Sequence, residues 1–492
     1  MKVVVVGAGQ NGLVCAVRLR SAGVDVTVLE QGEHVGGAMT TVPGPLPGFR
    51  HDVCAGFLPL TRVAPAFDGI DLEVDWVVPE TVMAHPLPDG SAIALERRLG
   101  ATAESLEATA PGAGAAWARF MEPILRRHRT LAEAALGPFP ALAPALRLAA
   151  ALRLDAVRLA IRGLQPVARV GLDLFRDERA AAWLAGSTAH ADLAPGDAGG
   201  GAFAIFLQML GHAVGWPFPR GGVQAIADAL ARRAGDVRTG TAVEEVLVER
   251  DRVRGVRLAG GERIAADAVV VTTSARPFLE MLPEGALPGG VERRLARWRY
   301  SLGTFKVDFA LDAPVPWTAD ECRRAGVVHV GGPLDAFARS FRESYDGRFP
   351  QEPVIVTGQH TLFDASRAPA GRHALYAYVR SPLVLDIPPE TAADRVEEQI
   401  ERFAPGFRAL VLARVARGPS DLEAHDPSMI GGDLGGGDYH LDQQLFLRPH
   451  PRLFRTRTPI RGLYMASASA HPGGGVHGAQ GLMASRAILA GR

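Results

Sequence analysis

The chain of 492 residues is 47% hydrophobic and balances 53 basic against 53 acidic side chains, for a net charge of zero. That is enough apolar sequence for about three domains, and it excludes both the basic footprint of a nucleic-acid binder and the acidic excess of a disordered chain. Only Lys2 and Lys306 are lysines, an arginine skew expected of GC-rich coding sequence rather than of a polyanion ligand. Cys15, Cys54 and Cys322 form no CxxC, and no His/Asp/Glu cluster has ligand spacing, so neither a disulfide framework nor a metal site is expected. No cleavable signal peptide and no long apolar span is evident, which predicts a soluble, cytoplasmic protein.

Val3 to Val6 form a continuous apolar run, as in a strand buried on both faces of a parallel sheet. The run enters Gly7-Ala8-Gly9-Gln10-Asn11-Gly12, then a helix with Leu13, Ala16, Val17 and Leu19 on one side, then a second strand over Val24–Leu29 that ends at Glu30. This is the first unit of a Rossmann-type fold. Gly7 permits the tight turn, Gly9 lets backbone approach a pyrophosphate, and Gly12 lets helix and strand pack closely. Glu30, eighteen residues beyond Gly12, is placed to accept from ribose hydroxyls and to repel a 2′-phosphate. Beyond it, Gln31 leads to Gly36-Gly37-Ala38-Met39-Thr40, a second glycine pair that lets backbone pass close to a ligand.

Ala103 to Leu164 reads as an alanine- and leucine-rich helical region broken by prolines 111, 123, 138, 140 and 144. Its last part, Ala145 to Leu164, reads as one amphipathic helix with Arg147, Asp155, Arg158 and Arg162 on a wet face. Val237 to Val243 reads as a strand leading into a polar β-meander that turns at Asp251-Arg252. Strict alternation over Thr304–Leu311 and His373–Val379 predicts two further strands. Lys306 lies mid-strand, either on a solvent face or buried with a lowered pKa. Near the end, the short strand Leu463-Tyr464-Met465 leads through Ala466-Ser467-Ala468 to His471-Pro472-Gly473-Gly474-Gly475-Val476-His477, which opens a final helix from about Val476 to Leu489. That helix start can offer N–H groups to an electron-rich ring edge. No second strand–GxGxxG–helix unit follows, which argues against a dedicated NAD(P)H domain.

The N-terminal motif, the EQGEHVGGAMTT segment and the HPGGGVHGAQG ending together resemble the FAD-dependent amine oxidase and phytoene desaturase superfamily. The likeness is greatest to its phytoene desaturase-like branch, which includes carotenoid desaturases and isomerases, retinol saturase and pyridine nucleotide-disulphide oxidoreductase domain-containing proteins. Trp216–Gly222, Phe363–Gly371 and the Gly431 to Pro449 segment carry the resemblance further along the chain.

The resemblance implies an α/β fold in which a Rossmann-type FAD-binding domain (1–60, 215–280 and 455–492) interleaves with an α+β substrate-binding domain (61–214 and 281–454). It implies non-covalent FAD, with Val243 at the adenine, Ala466 to Ala468 near the ribityl chain, and Gly474, Gly475, Val476 and His477 at the flavin. Relatives often carry an acid in the ribityl segment, whereas this chain offers only Ser467 or backbone. Lys306 lies in a strand like one in amine oxidases whose lysine holds a water at flavin N5, and it is the first proton-relay candidate; His477 is the second. The expected reaction is dehydrogenation of an apolar, isoprenoid or lipid-like substrate, with O2, a quinone or another carrier taking the electrons. The alternatives are an amine oxidase, a redox-neutral isomerase or saturase using reduced FAD, and a non-enzymatic lipid chaperone like the Rab GDP-dissociation inhibitors. Peripheral membrane contact through the 145–164 helix is a sharper alternative to an ordinary wet-faced helix.

Overall fold

A computed structural model describes residues 1–453 and 455–491; the expected domain segments ending at 454 and 492 close on two positions outside the described residues. Val3 to Val6 lie in the strand Lys2–Val6, at the centre of a parallel sheet ordered Leu463–Met465, Ala268–Val271, Lys2–Val6, Asp25–Leu29, Asp236–Arg238. The valine run is apolar at every position because both faces are covered. Val3 and Val5 pack with residues of the helices Gln10–Ser21, Gln224–Ala234 and Ala479–Leu489, while Val4 and Val6 pack on Val246, Val253 and Val256. Those three valines belong to the antiparallel meander Val243–Glu249, Arg252–Leu258, Arg263–Ala265.

The one strand expected over 237–243 is two. Asp236–Arg238 joins the parallel sheet, Gly240 turns the chain at φ +61°, and Val243 starts the meander. A left-handed residue cannot continue a strand, so the glycine divides the run.

A seven-stranded mixed sheet forms the second layer, ordered Val411–Arg417, Gly303–Leu311, His373–Ser381, Ile355–Gly358, Ala325–Val330, Thr81–Pro86, Ala92–Glu96. Gly303–Leu311 is buried along its whole length, yet its two faces differ. Phe305, Val307 and Phe309 join Leu375, Ala377 and Val379 in a core that also takes Val396 and Ile400 of the helix Pro389–Phe403. The alternate positions are Thr304, Lys306 and Asp308, registered against Arg380, Tyr378 and Tyr376. Side chains alternate with a period of two, so one face of this sheet is oil and the other is charge.

The helical region comprises Leu99–Thr109, Ala113–Leu125, His128–Leu136, Leu142–Leu152 and Leu154–Leu164. Pro123 sits inside Ala113–Leu125 rather than ending it. The single amphipathic helix expected from Ala145 is two helices, divided at Arg153, whose φ is +51°. The final helix starts at Ala479, three residues later than expected, because Gly473, Gly475 and Gly478 all take positive φ and prolong the turn.

Candidate active site

The strand-to-helix turn is set by contacts that only glycine allows. A Cβ on Gly12 would lie 2.0 Å from the Gly7 carbonyl oxygen, while one on Gly9 would meet nothing within 4 Å. Gly12 is therefore buried packing, and Gly9 presents bare backbone to a cavity of about 780 Å³. Glu30 also lines this cavity; its carboxylate accepts from Ala8 N–H (2.7 Å) and Gly32 N–H (2.9 Å). Burial pushes the Glu30 carboxyl up, the two amides pull it down, and Asp426 adds like-charge repulsion.

The two ends of the chain meet at the cavity. Gln10 Nε2 donates to the Gly475 carbonyl, and Gln10 Oε1 accepts from Gly478 N–H at 3.0 Å. A Cβ on Gly481 would meet the Asn11 carbonyl oxygen at 2.1 Å, so the first and last helices touch backbone to backbone there. One side chain thus locks the pyrophosphate-type turn to the glycine turn that precedes the final helix.

Of the cofactor residues named from sequence, Gly7, Gly9, Gln10, Asn11, Glu30, Gln31, Gly36 to Thr40, Val243, Ser467, Ala468 and Gly474 to Val476 line the cavity. Gly12 and Ala466 lie behind it, and Ala466 N–H extends the parallel sheet by donating to Val271 O at 2.8 Å. His477 is buried and absent from the lining; its Nδ1 accepts from Ala479 N–H at 3.2 Å, and burial holds its pKa down at about 4. Its geometry is that of a neutral helix cap.

Lys306 is 2% exposed, which removes the solvent-face alternative. Its ammonium pairs with Asp308, which also takes His51 Nδ1 at 3.1 Å and the Arg417 guanidinium. Burial lowers the Lys306 pKa while Asp308 opposes that, and burial of Asp308 is outweighed by Lys306, the His51 hydrogen bond and Arg417, which hold its carboxyl far below the usual range. Lys306 Nζ lies 5.5 Å from the centre of the Tyr376 ring, and Tyr376 lines the cavity, so the lysine stands one ring behind the wall. His51 and Asp52 tie the short hairpin Thr41–Asp52 to distant segments. Asp52 Oδ2 accepts from Arg367 at 2.9 Å, both side chains being buried.

The remaining wall lies outside the glycine turns, with Asp433 and Tyr439 coming from the Gly431 to Pro449 segment. His190, Asp192, Tyr378, Arg380, Asp433 and Tyr439 line it together with apolar Phe57, Leu60, Phe203, Leu207 and Val327. The alternation in 373–381 could have placed Tyr376, Tyr378 and Arg380 on one face; nothing local marks His190 or Asp192.

A profile described as flavin containing amine oxidoreductase matches residues 92–489, and one described as an NAD(P)-binding Rossmann-like domain matches residues 5–67. The chain belongs to the flavin-containing amine oxidoreductase family. The chain is 28% identical to pyridine nucleotide-disulfide oxidoreductase domain-containing protein 2 of Rattus norvegicus, over 99% of this chain and 93% of that one. It is 26% identical to the zeta-carotene-forming phytoene desaturase of Myxococcus xanthus, over 96% and 91%. In fold it resembles an oxidoreductase from Methanosarcina mazei, with a TM-score of 0.65 and 18% identity over the whole of both chains. This protein is thus an FAD-dependent oxidoreductase of the amine oxidase superfamily, an enzyme rather than a lipid chaperone. The residues present fit FAD. Bare backbone at Gly9, the carboxylate of Glu30 and the glycine turn at 474–476 share one cavity.

Proposed function

We propose that this flavoenzyme dehydrogenates a largely apolar, isoprenoid or lipid-like small molecule, forming a C=C or C=N bond. The observation that carries the reading is the shared cavity, whose lining joins the glycine turns to apolar Phe57, Leu60, Phe203, Leu207 and Val327. The desaturase relative supports it. FAD, non-covalently held by the residues above, supplies hydride acceptance, so the chain needs no nucleophile of its own. The protein's task is to orient the substrate, exclude water and move the proton. Lys306 Nζ, behind the Tyr376 ring and charge-paired with Asp308, is the group we assign to proton relay or oxygen activation. Electrons leave to O2, a quinone or another carrier.

The amine oxidase alternative calls for two aromatic rings facing each other across a substrate. Tyr376 and Tyr378 do stack, at 6.3 Å and 17°, but a flat group between parallel rings needs about 7 Å, twice a van der Waals separation. Tyr376 is also wedged between Gly56 and Gly358, whose added Cβ atoms would meet its ring carbons at 2.6 and 2.2 Å.

Access through a membrane surface belongs to the same proposal. Leu142, Leu146, Leu154, Val157, Ile161 and Leu164 are all more than half exposed, on two helices that bury only Leu152. Arg147 and Arg158 on these helices and Arg153 between them are exposed, a composition suited to an anionic lipid surface. Among the described residues no helix is long and apolar enough to cross a bilayer. The helix Leu154–Leu164 packs on Gly200–Val214, where a Cβ on Gly163 would sit 3.4 Å from Ala202. Phe203 and Leu207 of that helix line the cavity.

An anaerobic visible spectrum of the purified protein with and without NADPH tests the direction of the reaction. Flavin that stays oxidised supports a desaturase or oxidase, and bleaching supports a saturase or reduced-flavin isomerase. Lys306→Met should keep its flavin and slow reoxidation of the reduced form; unchanged reoxidation would return Lys306 to a packing role.

A further inference from the structure

The substrate-domain wall holds an acceptor without a donor. Asp192 is 1% exposed, and neither carboxylate oxygen receives a hydrogen bond. Arg380 Nε stands 2.7 Å from Asp192 Oδ1, yet its N–H is directed at the Ala189 carbonyl at 2.9 Å. The other Arg380 nitrogens are committed to Thr304 Oγ1 (2.8 Å) and the His190 carbonyl (3.3 Å). Arg380 therefore neutralises the carboxylate without satisfying it. An unsatisfied buried carboxylate is costly, and native structures rarely keep one without a use.

Two further observations place it at a binding surface. Asp192 and Arg380 both line the cavity, and the Asp192 backbone is held at φ +55°, a left-handed conformation uncommon for a non-glycine residue. Beside them Tyr378 Oη lies 2.9 Å from His190 Nδ1, and His190 Nε2 lies 2.9 Å from His329 Nε2. Two facing ring nitrogens need one proton between them. This chain therefore has two neutral arrangements, and in one of them the Tyr378 hydroxyl hydrogen is free for the cavity.

We infer that the substrate carries a neutral hydrogen-bond donor, a hydroxyl group, on its otherwise apolar body, and that Asp192 receives it beside Arg380 and the Tyr378–His190 pair. This rests on the apolar-substrate reading and narrows it to an amphiphile. The charges favour a neutral donor over an ammonium. Asp192 already faces Arg380. Its more distant acids are also matched, Asp433 by Arg448 and Asp438 by Arg299 and His440.

The test is ligand binding to the oxidised holoenzyme, read as perturbation of the flavin spectrum, with 1-decanol, methyl decyl ether, decane and decylamine as probes. At about pH 8, where burial no longer keeps Asp192 protonated, a donor to the charged acceptor should make decanol bind about tenfold tighter than the ether, with decylamine no tighter than decanol. Asp192→Gly accepts the positive φ and removes the acceptor, so it should abolish the preference for decanol over the ether while decane binding is retained. Asp192→Asn, which also tolerates that φ, should reduce the preference and serves if the glycine variant does not hold flavin. Equal binding of alcohol and ether, tighter binding of the amine, or a preference that survives Asp192→Gly would each overturn the inference while leaving the apolar-cavity reading intact. If none of the four probes binds, that reading falls and this one falls with it.

Discussion

The two walls of the cavity are built on opposite principles. The nucleotide wall draws on short runs close in sequence, Gly7 and Gly9 to Asn11, Gly36 to Thr40 and Gly474 to Val476, half of them glycines. The substrate wall uses side chains drawn from separate segments, His190 and Asp192 from one, Tyr376, Tyr378 and Arg380 from a strand, Asp433 and Tyr439 from a late loop. Backbone can hold the phosphates and sugars that every such cofactor shares. Side chains held by tertiary pairing can be changed one at a time, which is how one scaffold acquires its own substrate.

The comparison breaks most visibly at Gly12. Gly12→Val would drive a Cβ into the Gly7 carbonyl, and we expect protein that lacks flavin absorbance, a loss of at least about a hundredfold in FAD affinity. Bound flavin in this variant would show that the backbone turn is not what holds the cofactor.

Titration sharpens the contrast, because buried histidines crowd the substrate side. Burial lowers His190 and His360 to about 3 and His85 and His212 to about 4. Below about pH 6.5 the unfolded chain binds these protons and the folded one refuses them until near pH 4, so stability falls as the pH falls through that window. Each ring contributes on the order of 3 kcal/mol, and we expect the Tm to drop steeply between pH 6.5 and 4. Asp192 acts in the opposite sense. Burial raises its pKa to about 7, so the folded state holds a proton that the unfolded state has lost, and its stabilisation disappears as the pH rises from about 4 to 7. Asp192→Asn should therefore make the acid-side loss steeper, and an unchanged slope would refute the assignment.

Asp308→Asn leaves Lys306 buried without its carboxylate and should cost about 3 kcal/mol in urea unfolding, more than any surface pair. The smallest effect on stability belongs to Ile161→Glu on the exposed helix. Its unfolding free energy should stay within about 0.5 kcal/mol of the parent while co-sedimentation with anionic vesicles declines. Undiminished sedimentation would send the exposed leucines back to an unassigned surface.

Much of the nucleotide half was legible from residues alone. A strand, a tight turn and a helix within thirty residues are local, so the glycines and Glu30 announce themselves by spacing, and period-two alternation marked the strand that carries Lys306. Tertiary structure decided the rest. Whether Lys306 met solvent depended on His51 and Arg417 arriving from two other segments to meet Asp308 on its own strand. The single helix expected from 145 to 164 is two, and their apolar residues stay exposed, since amphipathicity says that one face is apolar and not what will cover it. His190 and Asp192 carried no signal at all, because a site made of long-range pairs exists only once the sheet has brought residues nearly two hundred positions apart into contact.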